Sequence, residues 1–146
     1  MALTANNSSE RALQILALTQ RLSERLQREA EILEAHRPQD LYEGLEETRQ
    51  LSNLYRHESA RIKADPSLLA GLKPAEKTAL RLATEAFQAN LRRYELAVNA
   101  AKTITEGIIS AVAEDLNTRR SASATYGPRA RTISTGPQSL NYGYKA

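Results

Sequence analysis

From Ala75 to about Thr118 an apolar side chain returns at every third or fourth residue, and nothing in the interval stops a helix. The stripe reads Leu80, Ala83, Phe87, Leu91, Tyr94, Val98, Ala101, Ile104 or Thr105, Ile108 and Val112. Alternating steps of three and four keep one seam of a helix turned toward a neighbour. Gly107 is the weak point, at a cost of about 1 kcal/mol relative to Ala. A single long helix cannot bury its own seam, so other helices must cover it, and the chain reads as all-α.

Two earlier segments supply those helices. Ile15, Leu18, Leu22, Leu26, Ala30 and Leu33 share one face of a helix predicted over residues 9–36, with Ser9 as N-cap and Pro38 barring its continuation. Asp40 and Glu43 have the spacing of a capping box, which predicts a second helix over 41–63. Its stripe is Leu41, Leu45, Thr48, Leu51, Tyr55 and Ile62, with Ser59 as a polar interruption. Asp65-Pro66 and Gly71 then bracket one short turn over 66–70, and Lys73-Pro74 opens the third helix with Glu76 in its first turn. Leu68, Leu69 and Leu72 would plug the end of the bundle at that turn.

Six Tyr, one Phe and no Trp leave the core to Leu, Ile, Val and Ala, which suits helix seams. The absence of Cys excludes a disulfide framework and thiolate chemistry, and a reducing cytoplasm is the simplest compartment. The first ten residues lack the basic and apolar regions of a secretory signal. No run reaches the roughly 20 apolar residues that span a bilayer, so no membrane insertion is expected.

Charge is distributed unevenly. After Asp115 there is no acidic residue, whereas Arg119, Arg120, Arg129, Arg131 and Lys145 make the last segment basic. That segment is rich in Ser, Ala, Thr, Gly and Pro and cannot bury enough surface to offset its ordering entropy alone. It nevertheless carries Tyr126, Ile133, Leu140, Tyr142 and Tyr144, side chains a pure spacer would not need. The chain therefore reads as an elongated antiparallel three-helix coiled-coil bundle over 1–118, followed by a flexible basic tail, 119–146, that orders on binding.

Helix lengths locate the binding surface. At about 1.5 Å per residue the three helices measure about 42, 35 and 66 Å. Short connections make successive helices antiparallel. The last 16 or so residues of the third helix, from about Lys102, then pass beyond the turn between the first two. Ile104, Ile108, Ile109, Val112 and Leu116 lie in that stretch, and an uncovered apolar stripe of this size marks an interface. A second copy, the folded-back tail or a partner helix could cover it. The alternative is that the helix frays or bends and the stripe packs internally.

No catalytic, cofactor or metal site is expected. None of the six Gly residues falls in a phosphate-loop pattern, no Ser lies in GxSxG, and His36 and His57 have no HExxH arrangement. His57 and Glu58, with Glu46 and Glu47, read as a solvated helix face. Five cations across about thirty tail residues are too sparse to favour nucleic acid. Arg119 and Arg120 complement the negative pole of the third helix instead.

The order of elements, with a DPSLLAGL connection, a third helix containing LRRYELAVNAAKTITEGIISAVAEDL, and tail pieces TYGPRA and SLNYGYKA, resembles the FlgN-like flagellar export chaperones over nearly the whole chain. The resemblance implies a cytoplasmic helical chaperone of flagellar type III secretion. Such a protein delivers hook-filament junction proteins to export-gate components and holds cargo chiefly through its C-terminal part. The basic, acid-free tail departs from that pattern and leaves cargo specificity open. The alternative reading is a dimeric coiled-coil structural or adaptor protein, joined through the third helix and without an export role.

Overall fold

In a computed structural model, described over residues 3–126 with side chains through residue 124, the chain forms α1 (Ser8–Glu34), α2 (Tyr42–Ala64) and α3 (Pro74–Tyr126). Two 3₁₀ turns, Pro38–Leu41 and Pro66–Leu69, join them. The described residues contain no strand, so the fold is all-α. The chain divides into two units, Met1–Lys102 and Thr103–Ala146.

Within the first unit the helices run up, down and up. Arg11 of α1 lies 3.6 Å from Glu58 of α2, and Arg21 lies 2.5 Å from Glu47, so these helices are antiparallel. Asn90 of α3 bonds Ser23 at 2.9 Å and Arg93 bonds Glu34 at 2.6 Å, so α3 runs parallel to α1. Leu22, Leu26 and Phe87 form one core cluster, against which Leu51, Tyr55, Leu91 and Tyr94 pack. Tyr55 and Phe87 meet with ring centroids 4.8 Å apart. Ala30, Leu33 and Ala97 form a second cluster, joined by Leu41 and Ala101. Small side chains there let α1 and α3 approach closely.

Local chemistry sets the helix ends, not always where the sequence pattern places them. Asn7 rather than Ser9 caps α1: its Oδ1 accepts the Glu10 N–H at 2.8 Å, while Glu10 Oε2 accepts the Asn6 N–H at 2.8 Å. The α1 helix stops at Glu34 because His36 turns left-handed, with φ +57°. The His36 and Arg37 N–H groups then reach back to the Leu33 and Ile32 carbonyls at 3.0 and 3.1 Å. The expected Asp40–Glu43 capping box does not form. Pro38 starts a 3₁₀ turn that already includes Asp40, whose carboxylate pairs with Arg37 at 3.4 Å, and α2 begins without a side-chain cap.

The second connection follows its sequence signals. Asp65 accepts the Ser67 N–H at 3.1 Å, Gly71 takes φ +77°, and Leu72 is buried. Glu76 accepts the Lys73 N–H at 2.8 Å at the start of α3. That bond, followed by one from the Ser9 hydroxyl, holds the Glu76 carboxyl below its ordinary pKa.

Two further expectations shift. In α3 the seam passes through buried Ala97, which packs with Ala30 and Leu33, and Val98 stands exposed. The helix also continues to Tyr126, past the end predicted near Thr118. Ala122 and Ala124 favour helix, Arg119 pairs with Asp115 at 3.0 Å, and the first true breaker is Gly127-Pro128.

Candidate protein-binding surface

Residues 103–126, the described residues of the second unit, are helical. Ile104, Ile108, Ile109, Val112 and Leu116 lie there with 48, 60, 63, 54 and 53% of their surface exposed. At 100° per residue these five side chains span about 140° of the helix circumference, over a rise of about 18 Å. Glu106, Ser110, Glu114, Asn117 and Thr118 occupy the opposite side. The 3.0 Å Asp115–Arg119 pair falls within the apolar arc and bounds it at its C-terminal end. Such an arc is wider than the seam of a two-stranded coiled coil and matches the face a helix presents to a multi-helix core.

Of the residues the sequence nominates for protein binding, Ile104, Ile108, Ile109, Val112 and Leu116 are thus brought onto one exposed helix face. Tyr126 ends α3. Its side chain lies outside the described residues, as do Ile133, Leu140, Tyr142 and Tyr144.

The first unit contains polar features that the apolar pattern passed over. Glu58 is 1% exposed, which corrects its reading as part of a solvated face; His57 beside it is exposed. The Glu58 carboxylate accepts the Leu3 N–H at 2.9 Å and meets Arg11 at 3.6 Å, so it ties the chain's start to α1 and α2. Glu29 is equally buried. Its Oε1 accepts the Thr48 hydroxyl and lies 3.5 Å from Arg25 Nη2. Its Oε2 has no hydrogen-bond donor of good geometry. Burial, then the Glu29 charge and a hydrogen bond to Glu29, push the Tyr94 hydroxyl above its ordinary pKa.

A signal for these residues was present in the spacing. Leu22, Leu26, Glu29 and Leu33 step by four, three and four, and Thr48, Leu51, Tyr55, Glu58 and Ile62 step by three, four, three and four. Both carboxylates therefore occupy seam positions. Reading by polarity passed over Glu29, next to the buried Ala30, and put exposed Ser59 on the seam in place of Glu58.

At the surface of the first unit, Arg93 hydrogen-bonds Glu34 in two places and lowers its pKa, and Arg21 does the same to Glu47. Among the described residues no group of three or more His, Asp or Glu side chains could hold a metal ion. No helix there is long and apolar enough to cross a membrane.

The chain is 41% identical over 128 residues to the flagellar basal-body protein FlbY of Caulobacter vibrioides, a match that covers 87% of this chain and 86% of that protein. No family model matches the chain. No solved structure matches it.

Proposed function

The chain belongs to the family of the flagellar basal-body protein FlbY, and from that premise we propose that it is a cytoplasmic export chaperone for flagellar assembly. In this reading it holds hook-filament junction proteins on the last turns of α3 and the segment that follows, and delivers them to the export gate. The observation that carries the proposal is the row of five large apolar side chains on residues 104–116, each about half or more exposed. Exposed apolar area of this size on one helix face favours burial against a partner. The 140° arc favours a partner that supplies more than one helix, such as an amphipathic hairpin, over a simple two-stranded pairing with a second copy. The proposed work is holding a partner, with no substrate transformed.

The test is co-purification of the full-length chain with a hook-filament junction protein, followed by titration of the purified pair. A one-to-one complex is expected, lost on removal of residues 119–146 while the helical circular-dichroism signal of the remainder persists. Equal affinity before and after that deletion would overturn the assignment of cargo contact. A stable homodimer in sedimentation that binds no junction protein would favour the adaptor reading instead.

A further inference from the structure

A second feature lies wholly within the first unit and outside its core. Along α3, Ala79, Leu82, Ala86, Ala89, Arg93 and Leu96 recur at alternating steps of three and four, which makes them a second heptad seam on that helix. The seam that carries Phe87 and Ala97 faces the core. This other seam does not: Leu82 and Leu96 are 54 and 71% exposed, and Ala86 and Ala89 are exposed as well. Its one charged member is Arg93, whose guanidinium Glu34 and Glu31 of α1 hold at 2.6 and 3.8 Å. What the seam presents is therefore mainly apolar.

The seam holds both a projection and a recess that matches it. Leu96 is the projection. At the start of α3, Ala75, Glu76 and Ala79 join Ala12, Leu13 and Leu16 of α1 around a mainly apolar recess of about 220 Å³, room for a leucine side chain. Leu96 lies about 25 Å from Ala79 along the same straight seam, so the chain cannot fill its own recess. A second copy can. An antiparallel pair with its two-fold axis midway between the two residues sets Leu96 of each copy in the recess of the other. That midpoint falls between Ala86 and Ala89, where alanines on both copies let the α3 helices approach closely. In the same register Leu82 lies against the aliphatic stem of the second copy's Arg93. Charge obeys the same symmetry. Glu85, which also pairs with Arg81 at 2.9 Å, and Arg92 flank the seam on one side. The axis brings Glu85 of each copy level with Arg92 of the other to within about 3 Å along the helix. A parallel pair would set Arg92 beside Arg92 and leave both recesses empty.

We propose that two copies of the chain pair through this face, antiparallel along α3, with Leu96 of each seated beside Ala79 and Leu13 of the other. The face takes in none of residues 104–116, so the pairing is compatible with one cargo molecule per chain.

The experiment uses the full-length chain in sedimentation over a dilution series from about 1 to 100 μM, where a reversible dimer is expected. Leu96→Glu is expected to raise the dimer dissociation constant at least about tenfold with the helical circular-dichroism signal unchanged. Glu85→Arg and Arg92→Glu should each weaken the dimer, and the two together should restore it. Ile108→Glu should leave it intact. Because the chain has no Cys, single cysteines report the register. Ala89→Cys brings two thiols together at the axis, within the Cα separation of about 4.4–6.8 Å that a disulfide needs, and should cross-link on oxidation. Ala75→Cys holds them more than about 30 Å apart and should not. A chain still monomeric at about 100 μM, a dimer undiminished by Leu96→Glu, equal cross-linking at both cysteines, or dissociation by Ile108→Glu would overturn the proposal. Should Leu96→Glu not fold, the charge exchange and the cysteines decide. Junction-protein binding is not read in any arm, so failure here is separable from failure of the chaperone reading.

Discussion

Replacing Ile104 and Ile108 together by Glu separates folding from the proposed binding, because both side chains are exposed in the unbound chain. They are 48 and 60% exposed. Glu is also the better intrinsic helix former than Ile. The double substitution is therefore expected to change folding stability by no more than about 1 kcal/mol, equivalent to about 4 °C in melting temperature for a chain of this size. Binding should respond differently. Full burial of such a side chain contributes about 1.5–3 kcal/mol, and about half of that remains for a partner to bury. Two residues then account for about 1.5–3 kcal/mol, or about 10- to 150-fold in dissociation constant, before the cost of desolvating two carboxylates is added. Thermal circular dichroism and isothermal titration with a junction protein measure the two quantities on one preparation. A melting temperature lower by more than about 10 °C would show that the stripe packs internally in solution. An unchanged dissociation constant would show that it is not the binding surface.

Thr48→Val keeps the volume of a buried residue and removes the hydroxyl that Glu29 accepts from, so unfolding stability is expected to fall by about 2 kcal/mol in urea titration. A loss under about 0.5 kcal/mol would mean that Glu29 does not depend on that bond. His36→Gly places glycine at the left-handed residue after α1 and is expected to raise stability by about 0.5–1 kcal/mol, whereas His36→Val should lower it; the opposite order would contradict the positive φ. Glu34, Glu47 and Glu76 have folded pKa values below their ordinary ones. Their stabilisation is thus complete above the unfolded carboxylate pKa of about 4.3 and is lost as pH falls through the lower folded values. Melting temperature should decline from about pH 4.5 downward, less steeply in 1 M salt because Glu34 and Glu47 form exposed pairs. A flat profile to pH 3 would exclude these three contributions.

The division of information between sequence and tertiary structure follows from the range of the interactions involved. Helix class, helix number and the two connections are local matters. The three- and four-residue recurrence of Leu and Ala, and the prolines at 38, 66 and 74, are written in consecutive residues and act through backbone geometry. The apolar row from Ile104 to Leu116 was legible for the same reason, since its spacing alone puts the five side chains on one helix face.

Which charged residues go inside was not local. Arg11, Glu29 and Glu58 occupy seam positions by spacing but are excluded by polarity. They are tolerated there because residues 19 to 55 positions away in sequence, or a helical neighbour, provide partners: Thr48 and Arg25 for Glu29, and Arg11 and the Leu3 N–H for Glu58. The choice of Ala97 over Val98 likewise depended on Ala30 and Leu33 across the interface. Sequence periodicity by itself determined that three helices must share a core and that the third would carry an apolar face of its own. Only the packed structure decided which carboxylates the core holds, Glu29 and Glu58, because desolvation and hydrogen bonding are settled between helices and not along them.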